Sequence, residues 1–434
     1  MSSRTHEKED KIMSAFDQVI GYEPIKEEMM QVCDMIRNPE VYQEMGAMLP
    51  RGMLLHGAPG LGKTLMAKAL IRESGLQAFT VRKNKGKNGL LDEISASFRK
   101  AEEQAPAIVF LDDMDKFANE DSKHRDAEEY VAIQSAIDDT RDKGVFVLAT
   151  VNDISKLPRS LRRCGRFDRQ IEFDSPNPSD ARKIMEYYLR GKKIDPSVNL
   201  DDLSKMLDYE SCAVLETVLN EAAIYAAYER KETICMPELS RAVMREAYDS
   251  PETFRKMSEE EIRETAIHEA GHAVICEALI PGGVGMISVR AQRYCCGGIM
   301  HRCADKVSKE QDVLISLGGK AAAEMLYPGK PAEGCSGDLL KAIQAIRYEM
   351  ERNASLGFGL IDVGTAPNNE MSPFLNHKGE IVVQTELERY LLQAREILQK
   401  NRVFLEKLAD ELVRKETLVY SDIQRIKASC ARQE

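Results

Sequence analysis

The sequence predicts a parallel α/β domain, then a small helical domain, then a larger and mainly helical one. Three observations carry this. Between residues 52 and 173, short apolar runs alternate with amphipathic stretches, the pattern of a parallel sheet covered by helices. Residues 179–247 read as helix almost throughout. Beyond a charged connector, residues 382–429 keep the apolar spacing of packed helices.

In chain order, residues 1–15 form a polar tail and 16–175 the α/β domain. Its five strands are expected at Gly52–His56, Gln77–Val81, 107–112, 145–150 and 170–173, with helices at Lys63–Ser74 and 89–104. The run Ser175-Pro176-Asn177-Pro178-Ser179-Asp180 is a turn-rich boundary where Asp180 can cap the next helix. A helical lid takes 176–248. Ser250-Pro251 breaks the pattern inside a linker, 249–260, and the third domain fills 261–434. Within it, 365–380 reads as a polar loop. Leu387, Leu391, Leu398 and Leu405 mark a packed face of the closing helices.

Composition narrows the function classes. A net charge of −11 argues against a general nucleic-acid binder, which needs a basic surface. The 10 cysteines show no paired CxxC spacing, which suits thiols in a reducing cytoplasm. The N-terminus lacks the apolar core of a signal peptide, and no apolar run approaches the roughly 20 residues of a membrane helix. No transmembrane segment is therefore expected.

Gly57, Ala58, Pro59, Gly60, Leu61, Gly62, Lys63 and Thr64 match GxxxxGKT between a strand and a helix, and Leu65 extends the nucleotide-binding set. Backbone N–H groups of such a loop surround phosphates, and the helix N-terminus favours the anion. Lys63 is expected to reach the β- and γ-phosphates and Thr64 to hold Mg²⁺. The apolar run 108–111 delivers Asp112 to the metal edge of the site, with Asp113 beside it to polarise attacking water.

A second motif is His268-Glu269-Ala270-Gly271-His272, an HExxH pattern. Spacing of four puts both imidazoles on one helical face, where they can share one zinc ion, and Glu269 stands as general base. Zinc lowers the pKa of water bound to it to about 7. Spacing leaves the third ligand open among Asp338, Glu324, Asp312 and His301, since no Gly-x-x-His follows His272.

The α/β part resembles the AAA+ ATPases. Residues 145–152 (VFVLATVN) are similar to their sensor-1 strand, with Asn152 as the polar sensor. Residues 162–169 (RRCGRFDR) are similar to their second region of homology, which implies that Arg166 and Arg169 reach a neighbouring subunit's ATP site in a ring. Residues 264–277 (ETAIHEAGHAVICE), 317–324 (LGGKAAAE) and 335–342 (CSGDLLKA) together resemble the FtsH-type AAA+ zinc metalloproteases. Residues 16–26, 220–227 and 394–418 add to that resemblance, which runs from Phe16 through nearly the whole chain. It implies Asp338 as the third zinc ligand.

Four departures from the family pattern stand out. Asp113 replaces the usual Glu, so slower ATP hydrolysis is expected. Cys212-Ala213 replaces the Gly-Ala pair of the lid. The segment 81–89 is shortened and lysine-rich where members carry an aromatic pore loop, and the family's two N-terminal membrane helices are not expected here. The resemblance implies an ATP-dependent zinc metalloendopeptidase, a homohexamer, that uses ATP, Mg²⁺ and Zn²⁺ on polypeptide substrates. A protein remodeller or an ATP-gated switch with weak or no proteolysis is the alternative.

Overall fold

The computed structural model describes residues 14–83, 87–118, 127–163, 165–250, 257–290, 298–303, 307–329, 334–357 and 373–431. The chain divides into two compact units: residues 1–190 with 209–217, and residues 191–208 with 218–434.

The first unit opens with α1 (Glu23–Arg37) and α2 (Pro39–Glu44), and then alternates strand and helix. β1 (Gly52–His56), α3 (Lys63–Ser74), β2 (Gln77–Val81), α4 (Lys87–Glu103), β3 (Ala107–Leu111), α5 (Ala127–Asp139), β4 (Val145–Val151), β5 (Arg169–Glu172) and α6 (Pro178–Leu189) follow. The sheet runs β2-β3-β4-β1-β5 and every pairing is parallel. Its inner strands β3, β4 and β1 are apolar on both faces, as expected for a sheet covered on both sides, while the edge strands β2 and β5 are partly polar. Leu54, Val109, Val147 and Ala149 face one core, while Met53, Leu55, Ile108 and Leu148 face the other. Alternation within each strand sends neighbours to opposite faces.

The second unit holds α7 (Leu200–Met206), most of α8 (Cys212–Tyr228), α9 (Met236–Glu246), α10 (Glu259–Leu279), β6 (Val284–Ser288) and β7 (Ile299–Arg302). It continues through α11 (Lys309–Leu326), α12 (Ser336–Arg352), α13 (Pro373–Lys400), α14 (Arg402–Lys415), β8 (Thr417–Val419) and α15 (Tyr420–Ala431). α10 is its axis. A capping box starts it, with the Ser258 hydroxyl accepting from the Glu261 N–H and the Glu261 carboxylate accepting from the Ser258 N–H. From Ala266 to Glu277 nearly every residue is buried, as befits a helix that is apolar on all sides. α11 crosses it with backbones almost touching. A Cβ at Gly271 would lie 2.4 Å from the Gly318 carbonyl oxygen, so only glycine fits there.

The structure adds a three-stranded antiparallel sheet, β7-β6-β8, in the third domain. β7 is an outer strand. Residues 365–372 of the expected polar loop lie outside the described residues. The remainder, 373–380, is helical, with α13 opening at Pro373, a residue suited to the first helical turn. The 1–13 tail, 251–256 of the linker and 84–86 of the lysine-rich segment are also outside. Leu398 and Leu405 are buried, and Leu387 and Leu391 pack against the same core, so the closing stripe is an internal face. No helix among the described residues is long and apolar enough to cross a membrane.

Candidate functional site

The nucleotide loop joins β1 to α3. Gly62, at φ 90°, caps α3 in a left-handed conformation that turns the loop back over the helix N-terminus. Lys63 is buried and donates to the carbonyl oxygens of Gly57 and Ala58, both at 2.7 Å. Burial lowers the pKa of its ammonium, against the charges of Asp113 and Asp115. Thr64 donates to Asp112 Oδ1 at 2.9 Å, which joins the loop to the end of β3. Leu61 is buried and Leu65 exposed. The N–H of Ala213 donates to the Gly60 carbonyl at 3.1 Å, and the Tyr22 hydroxyl lies 3.6 Å from Cys212 Sγ.

Thr150 ties the two acids together. Its hydroxyl donates to Asp112 Oδ1 at 2.8 Å and accepts from the Asp113 N–H at 2.8 Å. Asn152, two residues further on β4's line, donates to Asp113 Oδ1 at 3.2 Å. Each acid also has a cation: Arg82 lies 2.5 Å from Asp112 Oδ2, and Lys116 lies 2.6 Å from Asp113 Oδ2. Lys83 reaches the Lys116 carbonyl at 2.5 Å. Lys63, Thr64, Asp112, Asp113 and Asn152 thus converge. Arg166 and Arg169 are held elsewhere. Arg166 is buried on Asp138 at 2.7 Å and on the Ser160 carbonyl, and Arg169 lies 3.1 Å from Glu28.

The second cluster lies in the other unit. His268 and His272 project from one face of α10, and Asp338 comes from the first turn of α12. His268 Nε2 is 3.1 Å from Asp338 Oδ2, His272 Nε2 is 3.3 Å from it, and the two Nε2 atoms are 3.0 Å apart. Tetrahedral zinc with bonds of about 2.0–2.1 Å needs ligand atoms roughly 3.3 Å apart, so this donor set fits the ion. Among the described residues it is the group of three or more such side chains able to hold a metal. His272 Nδ1 faces the Ile315 carbonyl at 2.6 Å, which leaves Nε2 free to ligate.

The other candidates for third ligand have different employment. Glu324 pairs with Lys320 at 2.7 Å and with Arg395, and Asp312 pairs with Arg302. The His301 ring lies edge-on to Tyr248.

Glu269 is buried beside the cluster, and desolvation raises its pKa, into a direction that suits a group taking up and returning a proton. Asp338's carboxyl is opposed by burial but held well below the usual range by hydrogen bonds from His268 and His272. Burial works against charge on His268, yet Asp338 and Cys335 bring its pKa up to about 9. His268 thus holds a proton that a bound metal would displace, whereas Asp338 is already ionised. β7 passes close by: a Cβ at Gly298 would lie 2.7 Å from the Glu269 side chain.

Comparison with known proteins gives the same two parts. Residues 53–175 match the family model "ATPase family associated with various cellular activities (AAA)", and residues 255–426 match "Peptidase family M41". The chain is 30% identical over 458 residues to ATP-dependent zinc metalloprotease FtsH 3 of Symbiobacterium thermophilum, covering 96% of this chain and 71% of that protein. It is 31% identical over 439 residues to FtsH 2 of the same organism, covering 95% and 74%. The chain belongs to the FtsH family. It is also 34% identical over 432 residues to FtsH 2 of Sphaerobacter thermophilus, covering 95% of this chain and 66% of that one. Across such FtsH relatives it spans 58 to 74% of their length.

Both clusters fall inside the matched segments. Several members of the sites escaped sequence reasoning. Thr150 carried a signal, since it sits two residues before Asn152 on the same strand. Arg82 and Lys116 are ordinary surface cations in sequence, and the Ile315 carbonyl is backbone.

Proposed function

We propose that this chain is an ATP-dependent zinc metalloendopeptidase. The observation that carries the reading is the meeting of His268, His272 and Asp338 beside the buried Glu269, on a chain that also holds a complete nucleotide cradle. These three residues would hold zinc, which would supply Lewis acidity there. Glu269 takes a proton from the attacking water and passes it to the leaving amine. The Ile315 carbonyl keeps the His272 ring oriented. The outer edge of β7 offers backbone groups to an extended polypeptide, by strand addition.

In the ATPase half, Lys63 binds the phosphates, and Thr64 with Asp112 would hold Mg²⁺, which would supply positive charge there. Asp113, positioned by Asn152 and Thr150, orients the attacking water. Arg166 and Arg169 act on a neighbouring subunit's nucleotide in a homohexameric ring, once released from Asp138 and Glu28. We infer a cytoplasmic setting, which suits the described cysteines, all thiols. The lid at 176–248 carries the Cys212-Ala213 pair to the loop.

A second reading has its own support. Both acids at the nucleotide site pair with cations of the same chain, which favours slow turnover and an ATP-gated switch.

One experiment separates the two. Metal content and casein cleavage are measured with and without ATP for wild type and for Glu269→Gln. The protease reading expects about one zinc per chain in both proteins, ATP-stimulated cleavage only in wild type, and equal ATPase rates. Cleavage that survives Glu269→Gln would overturn the mechanism, and a wild type that binds zinc and ATP yet never cleaves would favour the switch.

A further inference from the structure

The first turn of α12 delivers two side chains to one ring. Asp338 Oδ2 meets His268 Nε2 at 3.1 Å, and Cys335 Sγ meets His268 Nδ1 at 3.8 Å, within reach of a hydrogen bond to sulfur. Cys335 and Asp338 are three residues apart, so they share a face of that turn. Cys335 is only 8% exposed. The flat face of the ring is closed as well, because a Cβ at Gly319 on α11 would lie 2.5 Å from it.

The two histidines are therefore held from behind by different acceptors. His272 Nδ1 has the Ile315 carbonyl. His268 Nδ1 has a thiol. A metal ligand that binds through Nε2 carries its remaining ring proton on Nδ1, and that proton needs an acceptor to fix both tautomer and orientation. No other residue has a hydrogen bond to this nitrogen among the described contacts.

We propose that Cys335 is a positioning residue for the metal centre: its sulfur accepts the Nδ1 proton of His268 and holds the ring so that Nε2 faces His272 and Asp338. The inference rests on the zinc-site reading above and adds a role for a residue that contributes no ligand. It also explains why a buried thiol stands at the start of α12, where its side chain caps no backbone group. The histidine neither gains nor loses a proton in this role.

Cys335→Ala and Cys335→Ser test it in the full chain. Both are smaller than cysteine, and only serine keeps an acceptor. Zinc affinity is measured by competition with a chromophoric chelator, the visible spectrum of the cobalt-substituted protein is recorded, and the melting temperature is taken without metal. Cys335→Ala is expected to bind zinc about 10- to 100-fold more weakly and to show a shifted cobalt spectrum. Cys335→Ser is expected to recover at least part of the affinity, while the metal-free melting temperatures of the two variants agree. Equal affinity in wild type and Cys335→Ala, or in the alanine and serine variants, would overturn the role. If Cys335→Ala fails to fold, the serine variant decides alone: near-wild-type affinity with an unchanged spectrum supports the role, and loss as great as that of an Asp338→Ala control overturns it. Failure of wild type itself to bind zinc would instead remove the metal-site reading.

Discussion

His301 is the clearest place to test whether burial controls this protein's stability. The ring lies in β7, edge-on to Tyr248 with centroids 5.7 Å apart. Burial pushes its pKa down to about 4 from the ordinary 6.5; a hydrogen bond with the Lys205 backbone opposes this, and the Arg302 charge adds to it. Its Nε2 is buried and has no partner among the described residues, so a proton there would bring an uncompensated charge inside. Between pH 6.5 and 4 the unfolded chain binds this proton and the folded chain does not, so stability falls as pH falls. The penalty from this group is nil well above pH 6.5, about 2 kcal/mol at pH 5 and about 3 kcal/mol at pH 4. His301→Gln keeps a donor for the Lys205 carbonyl and cannot titrate. Urea unfolding of both proteins, treated with chelator and followed from pH 4 to 7.5, isolates the effect, because contributions shared by both cancel in the difference. The variant is expected to gain on wild type steadily below pH 6.5. Parallel curves across that window would refute the reasoning.

Two further outcomes concern the nucleotide site. Lys63→Ala is expected to abolish ATP binding, and Arg166→Ala or Arg169→Ala to stop turnover while binding persists; mixing the lysine and arginine variants should restore part of the rate, measured by phosphate release, whereas full activity in an arginine variant alone would make those residues structural. Lys116→Ala frees Asp113 Oδ2 from its 2.6 Å ion pair and is expected to raise ATP turnover severalfold, with an unchanged rate showing that this exposed pair restrains nothing.

Much of the fold was legible because two periods dominate. Buried strands such as Ala107–Leu111 stand out as apolar runs between turn signals, and GxxxxGKT fixes where β1 ends and α3 begins. β8 was not legible: its three residues, Thr417–Val419, are too few to show alternation between two helices. The HExxH pair was readable because spacing of four places both rings on one face. Asp338 was not readable from spacing, since its approach depends on how α12 packs. Cys335 was invisible for the same reason, being one thiol among ten in sequence and distinctive only once its sulfur lies against His268.

The two sites are built on different physical footings, and that difference bears on how the protein works. The metal cluster is fixed by close helix packing: α10 and α11 touch at Gly271 and Gly318, the Ile315 carbonyl lies against one ring, and the Cys335 sulfur at the start of α12 lies against the other. Helix packing this close resists small displacements, so the donor geometry is set before any substrate arrives. The nucleotide acids are balanced instead by long side chains. Arg82 and Lys116 are 44% and 58% exposed, and the Lys116–Asp113 pair, exposed on both sides, is of the kind that contributes little and exchanges readily, while Asp112 itself is buried. On the proposed reading, Mg²⁺ and phosphate would compete with them for Asp112 and Asp113. Peptide hydrolysis would, on that same reading, rest on a preformed centre, whereas ATP hydrolysis would depend on rearranging charges that the ligand itself must displace.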